Sequence, residues 1–110
     1  MPNQTNYDVL IIGSGGAGLS LALKLADHCQ VAVLSKFALT EGSTFYAQGG
    51  ISAVLDTQES SIESHIQDTF ISGAGLCDPE IVRLTVNYGK KSIDFLHQQG
   101  MAFTQRQNKK

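Results

Sequence analysis

The stretch Val9 to Ala26, VLIIGSGGAGLSLALKLA, decides the fold, and three readings compete for it. It could be a membrane or signal segment, a glycine-rich linker, or a strand, a phosphate-binding turn and a helix in that order. A spanning helix needs about 20 predominantly apolar residues. Here Lys24 and Asp27 interrupt the tail, and Gly13, Gly15, Gly16 and Gly18 break the middle. A secretory signal opens on a basic segment, whereas Met1 to Asp8 holds neither Lys nor Arg. The expectation is a cytoplasmic protein with no membrane partner.

The flanking residues decide against the linker. Asp8 to Ile12, DVLII, is a short apolar run without alternation, as in a strand of a parallel sheet buried on both faces. From Ala17 to about His28 the pattern is helical, with Leu19, Ala22, Leu23 and Ala26 on one face. Val31 to Ser35, VAVLS, reads as a second buried strand. Residues 8–35 therefore predict an α/β fold built on a Rossmann-like βαβ unit with a right-handed crossover.

Within that unit, Gly13-Ser14-Gly15-Gly16-Ala17-Gly18 matches G-x-G-x-x-G. The pattern alone is weak, but a preceding strand and a following helix are its confirming context. Gly13 permits the tight turn, Gly15 lets a pyrophosphate approach the backbone, and Gly18 lets the helix pack close to the strand. The helix N-terminus offers N–H groups and partial positive charge to phosphates. An NAD site places an acid for the ribose about 20 residues past the glycines. Ser35 and Lys36 stand there instead, which weakens an ordinary NAD assignment. Lys36 is either close to a phosphate or ribose, or a solvated lysine at a strand end.

Residues 36–55 have little periodicity and glycines at 42, 49 and 50; they predict an irregular segment with a short helix or strand near its end. Long connections of this kind are usually functional. Helix signals then return over about 61–72, with a Ser60/Glu63 capping box, an Ile62/Ile66/Phe70 stripe and Gly73 and Gly75 as the stop. Asp78-Pro79-Glu80 starts a second helix over about 79–99, with Ile81, Val86, Ile93 and Phe95 as apolar positions and Gly100 as its stop. Met101 to Thr104 suggests the start of a strand, and the polar end QRQNKK has no pattern.

Bulk properties are those of an ordinary globular domain. The chain has 110 residues, enough for one small domain at most, and a net charge of -2, which does not point to nucleic acid. Cys29 and Cys77 lie apart and form neither a disulfide framework nor a zinc spacing. His28, His65 and His97 are equally scattered, and no metal site is expected.

With the Ser35-Lys36 pair, the segment EGSTFYAQGG from Glu41 to Gly50 and the later SHIQDTFISGAGLCDPEIV, the chain resembles the flavoprotein family of succinate dehydrogenase, fumarate reductase and L-aspartate oxidase. The likeness runs from about Asp8 to Phe103 and is strongest to the L-aspartate oxidase branch. It implies FAD contacts at Gly13, Ser14, Gly15, Gly16, Ala17 and Gly18, at Ser35 and Lys36, and at Ser43, Thr44, Phe45, Tyr46, Ala47, Gln48, Gly49 and Gly50. Read without the family, AQGG is either a turn or a place where main-chain N–H groups reach a flat ring. Many relatives carry a flavin-linking histidine where this chain has Ser43, so the resemblance implies non-covalent FAD.

The implied reaction is oxidation of L-aspartate to iminoaspartate, by hydride transfer from Cα to the flavin. Oxygen or fumarate is the electron acceptor, and quinolinate synthase the next enzyme toward NAD. The family's chains are several times longer, so the resemblance makes residues 1–110 the N-terminal part only of an FAD-binding domain, with the substrate site and catalytic groups downstream. Arg83 and Arg106, the two arginines, match no family motif, and no catalytic residue is assigned. A succinate dehydrogenase or fumarate reductase flavoprotein and a non-catalytic dinucleotide-binding module are the alternatives.

Overall fold

A computed structural model describes residues 4–47, 49–56 and 58–104. The chain divides into two compact units, Met1–Gly49 and Gly50–Lys110. The patterning to 110 marks the elements but not which of them share contacts.

The first unit contains strand β1 (Val9–Ile12), helix α1 (Gly16–Leu25), strand β2 (Val31–Leu34) and a short helix α2 (Ser43–Tyr46). The strands pair in parallel, Val9 opposite Val31 through Ile12 opposite Leu34. A parallel pair needs a crossover, and α1 supplies it, packing on both strands. Pairing extends past each end, with Asp8 N–H donating to the Gln30 carbonyl and Gly13 N–H to the Leu34 carbonyl, both at 2.9 Å. The Asp8 carboxylate also accepts from Gln30 N–H at 2.8 Å, which closes the open end of the sheet.

Four details of this unit differ from the sequence reading. The strands stop one residue inside the expected bounds, because Asp8 and Ser35 turn to capping and side-chain bonds. Helix α1 ends at Leu25, not near His28, and its half-buried face is Gly18, Leu19, Ala22 and Leu25. Leu23 and Ala26 are exposed, since the approach of helix to sheet is centred on the small residues Gly18 and Ala22. The sheet is not buried on both faces: Ile11 is buried beneath α1, while Leu10 and Ile12 are 59% and 79% exposed. Successive strand residues point to opposite faces, and α1 covers one of them. Finally, the short helix of residues 36–55 lies in the middle of that segment, at Ser43–Tyr46, and no regular element follows it within that segment among the described residues.

The second unit is a pair of packed helices, α3 (Glu59–Gly73) and α4 (Pro79–Gln98). Ile66 is its most buried residue, with Ile62, Thr69, Phe70 and Gly73 around it. On α4 the inner positions are Val82, Val86, Gly89, Ile93 and Leu96, spaced by four and three. Ile81 is 57% exposed and does not belong to that face, whereas Val86, Ile93 and Phe95 turn inward as expected. Gly89 has a specific role, since a Cβ there would stand 3.4 Å from that of Ala53.

The α4 start follows the sequence closely. Asp78 is its N-cap, and its carboxylate accepts from Glu80 N–H at 2.9 Å and Ile81 N–H at 3.2 Å, ahead of Pro79 in the first turn. The Ser60/Glu63 capping box does not form. Gln58 is the N-cap of α3 and makes no side-chain cap bond. Asp56 takes up Gln58 N–H at 3.3 Å and the Ser61 hydroxyl at 3.1 Å, so an acid outside the helix replaces the expected serine. Met101 to Thr104 form no strand, as no partner strand lies beside them among the described residues. The end QRQNKK lies outside the described residues.

Glu63 on α3 holds Arg83 on α4 at 3.0 Å. The Arg83 guanidinium, and after it the Gln67 amide, hold the Glu63 carboxyl below its ordinary value. Both side chains are about half exposed, so the pair is screened and its stabilisation small. Because the carboxyl is depressed in the folded state, that stabilisation is complete above the ordinary Glu range and is lost as pH falls through the depressed value. An NMR titration should show the Glu63 carboxyl midpoint below that of free glutamate, and Arg83→Ala should return it; an unchanged midpoint in the variant counts against the pairing.

Helix α3 ends with Ala74 in the left-handed region at φ 48. A side chain at such a position costs about 1–2 kcal/mol. Ala74→Gly should therefore raise stability by about 0.5–1 kcal/mol, after glycine's extra unfolded-state entropy. A shift of the urea midpoint to higher concentration checks this, and a shift to lower concentration refutes it.

Candidate functional site

The carboxyl ends of β1 and β2, the glycine turn and the segment after β2 surround a cleft of about 510 Å³. Its lining is Ile12, Gly13, Ser14, Gly15, Leu34, Ser35, Lys36 and Glu41. In open α/β sheets ligands bind outside the carboxyl ends of the strands.

Each glycine of the turn answers to a different constraint. Gly13 has φ 110, which side-chain-bearing residues rarely adopt, and it reverses the chain at the end of β1. A Cβ on Gly18 would overlap the Gly13 carbonyl oxygen and meet the Ile11 side chain at 3.3 Å, so glycine is required for the helix to lie against the turn. Gly15 is different. Its φ of -74 and ψ of 178 suit any residue, and a Cβ there would stand 3.7 Å from Thr44 Oγ1, an ordinary contact. Among the described residues, no atom requires a glycine at this position.

Two bonds fix the turn to what surrounds it. The Ser14 and Ser35 hydroxyls lie 3.1 Å apart, joining the glycine loop to the end of β2. Gly16 N–H, the first of α1, donates to Thr44 Oγ1 at 3.0 Å. Helix α1 has no side-chain cap of its own and no acid in its first turn, so its positive end faces the cleft without an internal anion. Thr44, far along the chain, is thus brought to the glycine turn, which the sequence alone does not show.

The other residues singled out from the sequence sort as follows. Ser35 is half-buried and Lys36 exposed; the Lys36 ammonium lies 5.5 Å over the Phe37 ring and borders the cleft. Ser43, Thr44, Phe45 and Tyr46 form α2, with Ala47 as its C-cap. Phe45 and Tyr46 meet edge to face at 5.3 Å. Gly49 has φ 143, a glycine conformation, and Gly50 opens the second unit with open space where a Cβ would be. Gln48 lies outside the described residues. Arg83 is occupied by Glu63, and Arg106 lies outside the described residues.

Glu41 was not singled out, yet it borders the cleft and accepts a hydrogen bond from the Tyr46 hydroxyl. That carboxylate pushes the Tyr46 phenol above its ordinary value. The signal was available: a carboxylate seven residues past a strand end that lacks the usual acid. Among the described residues no helix is long and apolar enough to cross a membrane, and no cluster of His, Cys, Asp and Glu could hold a metal ion.

A parallel strand pair, a glycine turn and a helix start with no acid in its first turn, all around one cleft, mark a nucleotide-binding α/β protein. The sequence matches the FAD binding domain family over residues 8–110, and the chain belongs to that family. It is 51% identical over 104 residues to an L-aspartate oxidase of Pseudomonas aeruginosa, covering 94% of this chain and 19% of the relative. It is 59% identical over 96 residues to one from Yersinia pestis, covering 87% and 18%. A chloroplastic L-aspartate oxidase 2-b of Nicotiana tabacum is 50% identical over 97 residues, covering 88% and 15%. The chain thus spans less than a fifth of the length of these three curated relatives.

Gly18→Ala should displace α1 from the turn, since its Cβ would press on backbone and not on a movable side chain. A loss of about 1–3 kcal/mol in stability is expected, with a weaker FAD affinity in the same variant. Unchanged thermal unfolding and flavin titration would show that the close approach is not needed.

Proposed function

We propose that this chain is the N-terminal part of the FAD-binding domain of an L-aspartate oxidase, with residues 8–35 as its Rossmann-like βαβ unit and 36–55 as its flavin-contacting segment. The observation that carries the cofactor reading is Gly15. Its backbone and neighbours would accept a side chain, so no contact among the described residues explains the need for a bare backbone there. A pyrophosphate at the start of α1 has that requirement. The relatives' shared name supports the substrate.

The residues divide the cofactor among them in chain order. The turn Gly13 to Gly18 holds the pyrophosphate at the start of α1, Ser14 and Ser35 fix the loop, and Lys36 supplies positive charge at the strand end. Thr44 joins the second segment to the helix start, and Ser43 through Gly50 reach toward the flavin. A serine hydroxyl at Ser43 does not replace a linking imidazole, so binding is non-covalent. When bound, FAD supplies a two-electron acceptor for oxidation of L-aspartate to iminoaspartate, with oxygen or fumarate taking the electrons. The product would pass to quinolinate synthase in NAD biosynthesis. The separated thiols support a cytoplasmic setting.

The test uses the full-length protein that carries this chain. Acid should release all of its flavin into the supernatant, and L-aspartate, not succinate, should bleach the bound flavin and yield peroxide in air. Flavin fluorescence that stays with the protein on a denaturing gel would refute the non-covalent site. Bleaching by succinate alone would move the chain to the dehydrogenase branch.

A further inference from the structure

The strand-end acid that a dinucleotide site uses for its ribose is missing, and the cleft supplies another. The end of β2 carries Ser35 and Lys36, neither of which offers a carboxylate to a vicinal diol. Among the described residues lining the cleft, Glu41 is the one acid, and it faces the same cavity as Gly13, Ser14, Ser35 and Lys36. From this juxtaposition we propose that Glu41 is the acceptor for the ribose hydroxyls of the adenosine half of the cofactor, with Tyr46 as the residue that positions it.

The chemistry is direct. An ionised carboxylate has two oxygens and about four acceptor sites. The Tyr46 hydroxyl approaches both oxygens, at 2.5 Å and 3.1 Å, but it has one hydrogen to give. Acceptor capacity therefore remains for the two hydroxyls of a ribose. A tyrosine on α2 is well suited to hold an acid that lies in a loop: the phenol is rigid, and α2 is itself tied to the glycine turn through Thr44 and Gly16. The nucleotide then meets the chain in a consistent order. The ribose lies at the strand end with Glu41, the pyrophosphate at Gly15 and Thr44, and the flavin beyond α2.

This inference rests on the FAD reading above, and its test separates the two. Apoprotein of the full-length chain is titrated with ADP and with 2′,3′-dideoxy-ADP, which lacks both hydroxyls. ADP should bind about 10- to 100-fold more tightly, the range of a charge-assisted hydrogen bond. Glu41→Ala should abolish that ratio while leaving dideoxy-ADP affinity near its original value. Glu41→Gln, which keeps the shape and one acceptor oxygen, should reduce the ratio, and Tyr46→Phe should reduce it too. A ratio that survives Glu41→Ala overturns the assignment of Glu41. A ratio that survives Tyr46→Phe overturns the positioning role. Tight ADP binding with no preference over dideoxy-ADP leaves the nucleotide site standing and removes the ribose contact. Failure of both nucleotides to bind the native apoprotein overturns both readings.

Discussion

The contact on which the first unit depends is the approach of Gly18 to the Gly13 carbonyl. Any side chain at Gly18 would push α1 away from the turn and from Ile11. With it would go the direction of the helix N-terminus, the alignment of Gly16 N–H with Thr44, and the cleft between the two strand ends. Two glycines with opposite demands make this possible. Gly13 must have positive φ to turn the chain, and Gly18 must lack a side chain to let the helix return over it. Gly15, between them, is under neither constraint, which separates the geometry of the loop from the purpose of the loop.

The same compactness leaves apolar surface uncovered. One helix covers one face of a parallel pair, so Leu10, Ile12 and Leu34 remain more than half exposed. Sheets of this type are ordinarily covered on both faces. Similar exposure occurs at Ile71 and Leu76 in the second unit, 77% and 93% accessible. Single exposed apolar residues are normal, whereas Leu10, Ile12 and Leu34 share the one sheet face that α1 does not cover.

Local chemistry explains why some boundaries were legible and others were not. Asp78-Pro79 starts α4 because a carboxylate can reach two N–H groups of the next turn and proline's fixed φ suits the first helical position. Nothing distant competes with it. Ser60 had the right spacing to Glu63, but Asp56 provides a charged acceptor just ahead of the helix, and the helix starts earlier. Likewise Glu63 turns to Arg83 on the facing helix and not back to a cap. Short-range patterns hold where no longer-range partner offers a stronger bond.

The sequence by itself determined the order β1, α1, β2, the positions of the turn glycines and the limits of α4, because backbone sterics, apolar periodicity and proline act within a few residues. Its resemblance to known flavoproteins also makes Ser43 to Gly50 a candidate cofactor segment. Only the tertiary structure decided that Thr44 reaches Gly16, that Ser14 meets Ser35, that Leu23 and Ile81 face outward, and that Glu41 shares the cleft with Lys36. Those facts depend on how closely α1 lies on the sheet and where a long irregular segment returns to it. Such distances are set by packing between residues some twenty to thirty apart, about which a one-dimensional pattern carries no length scale.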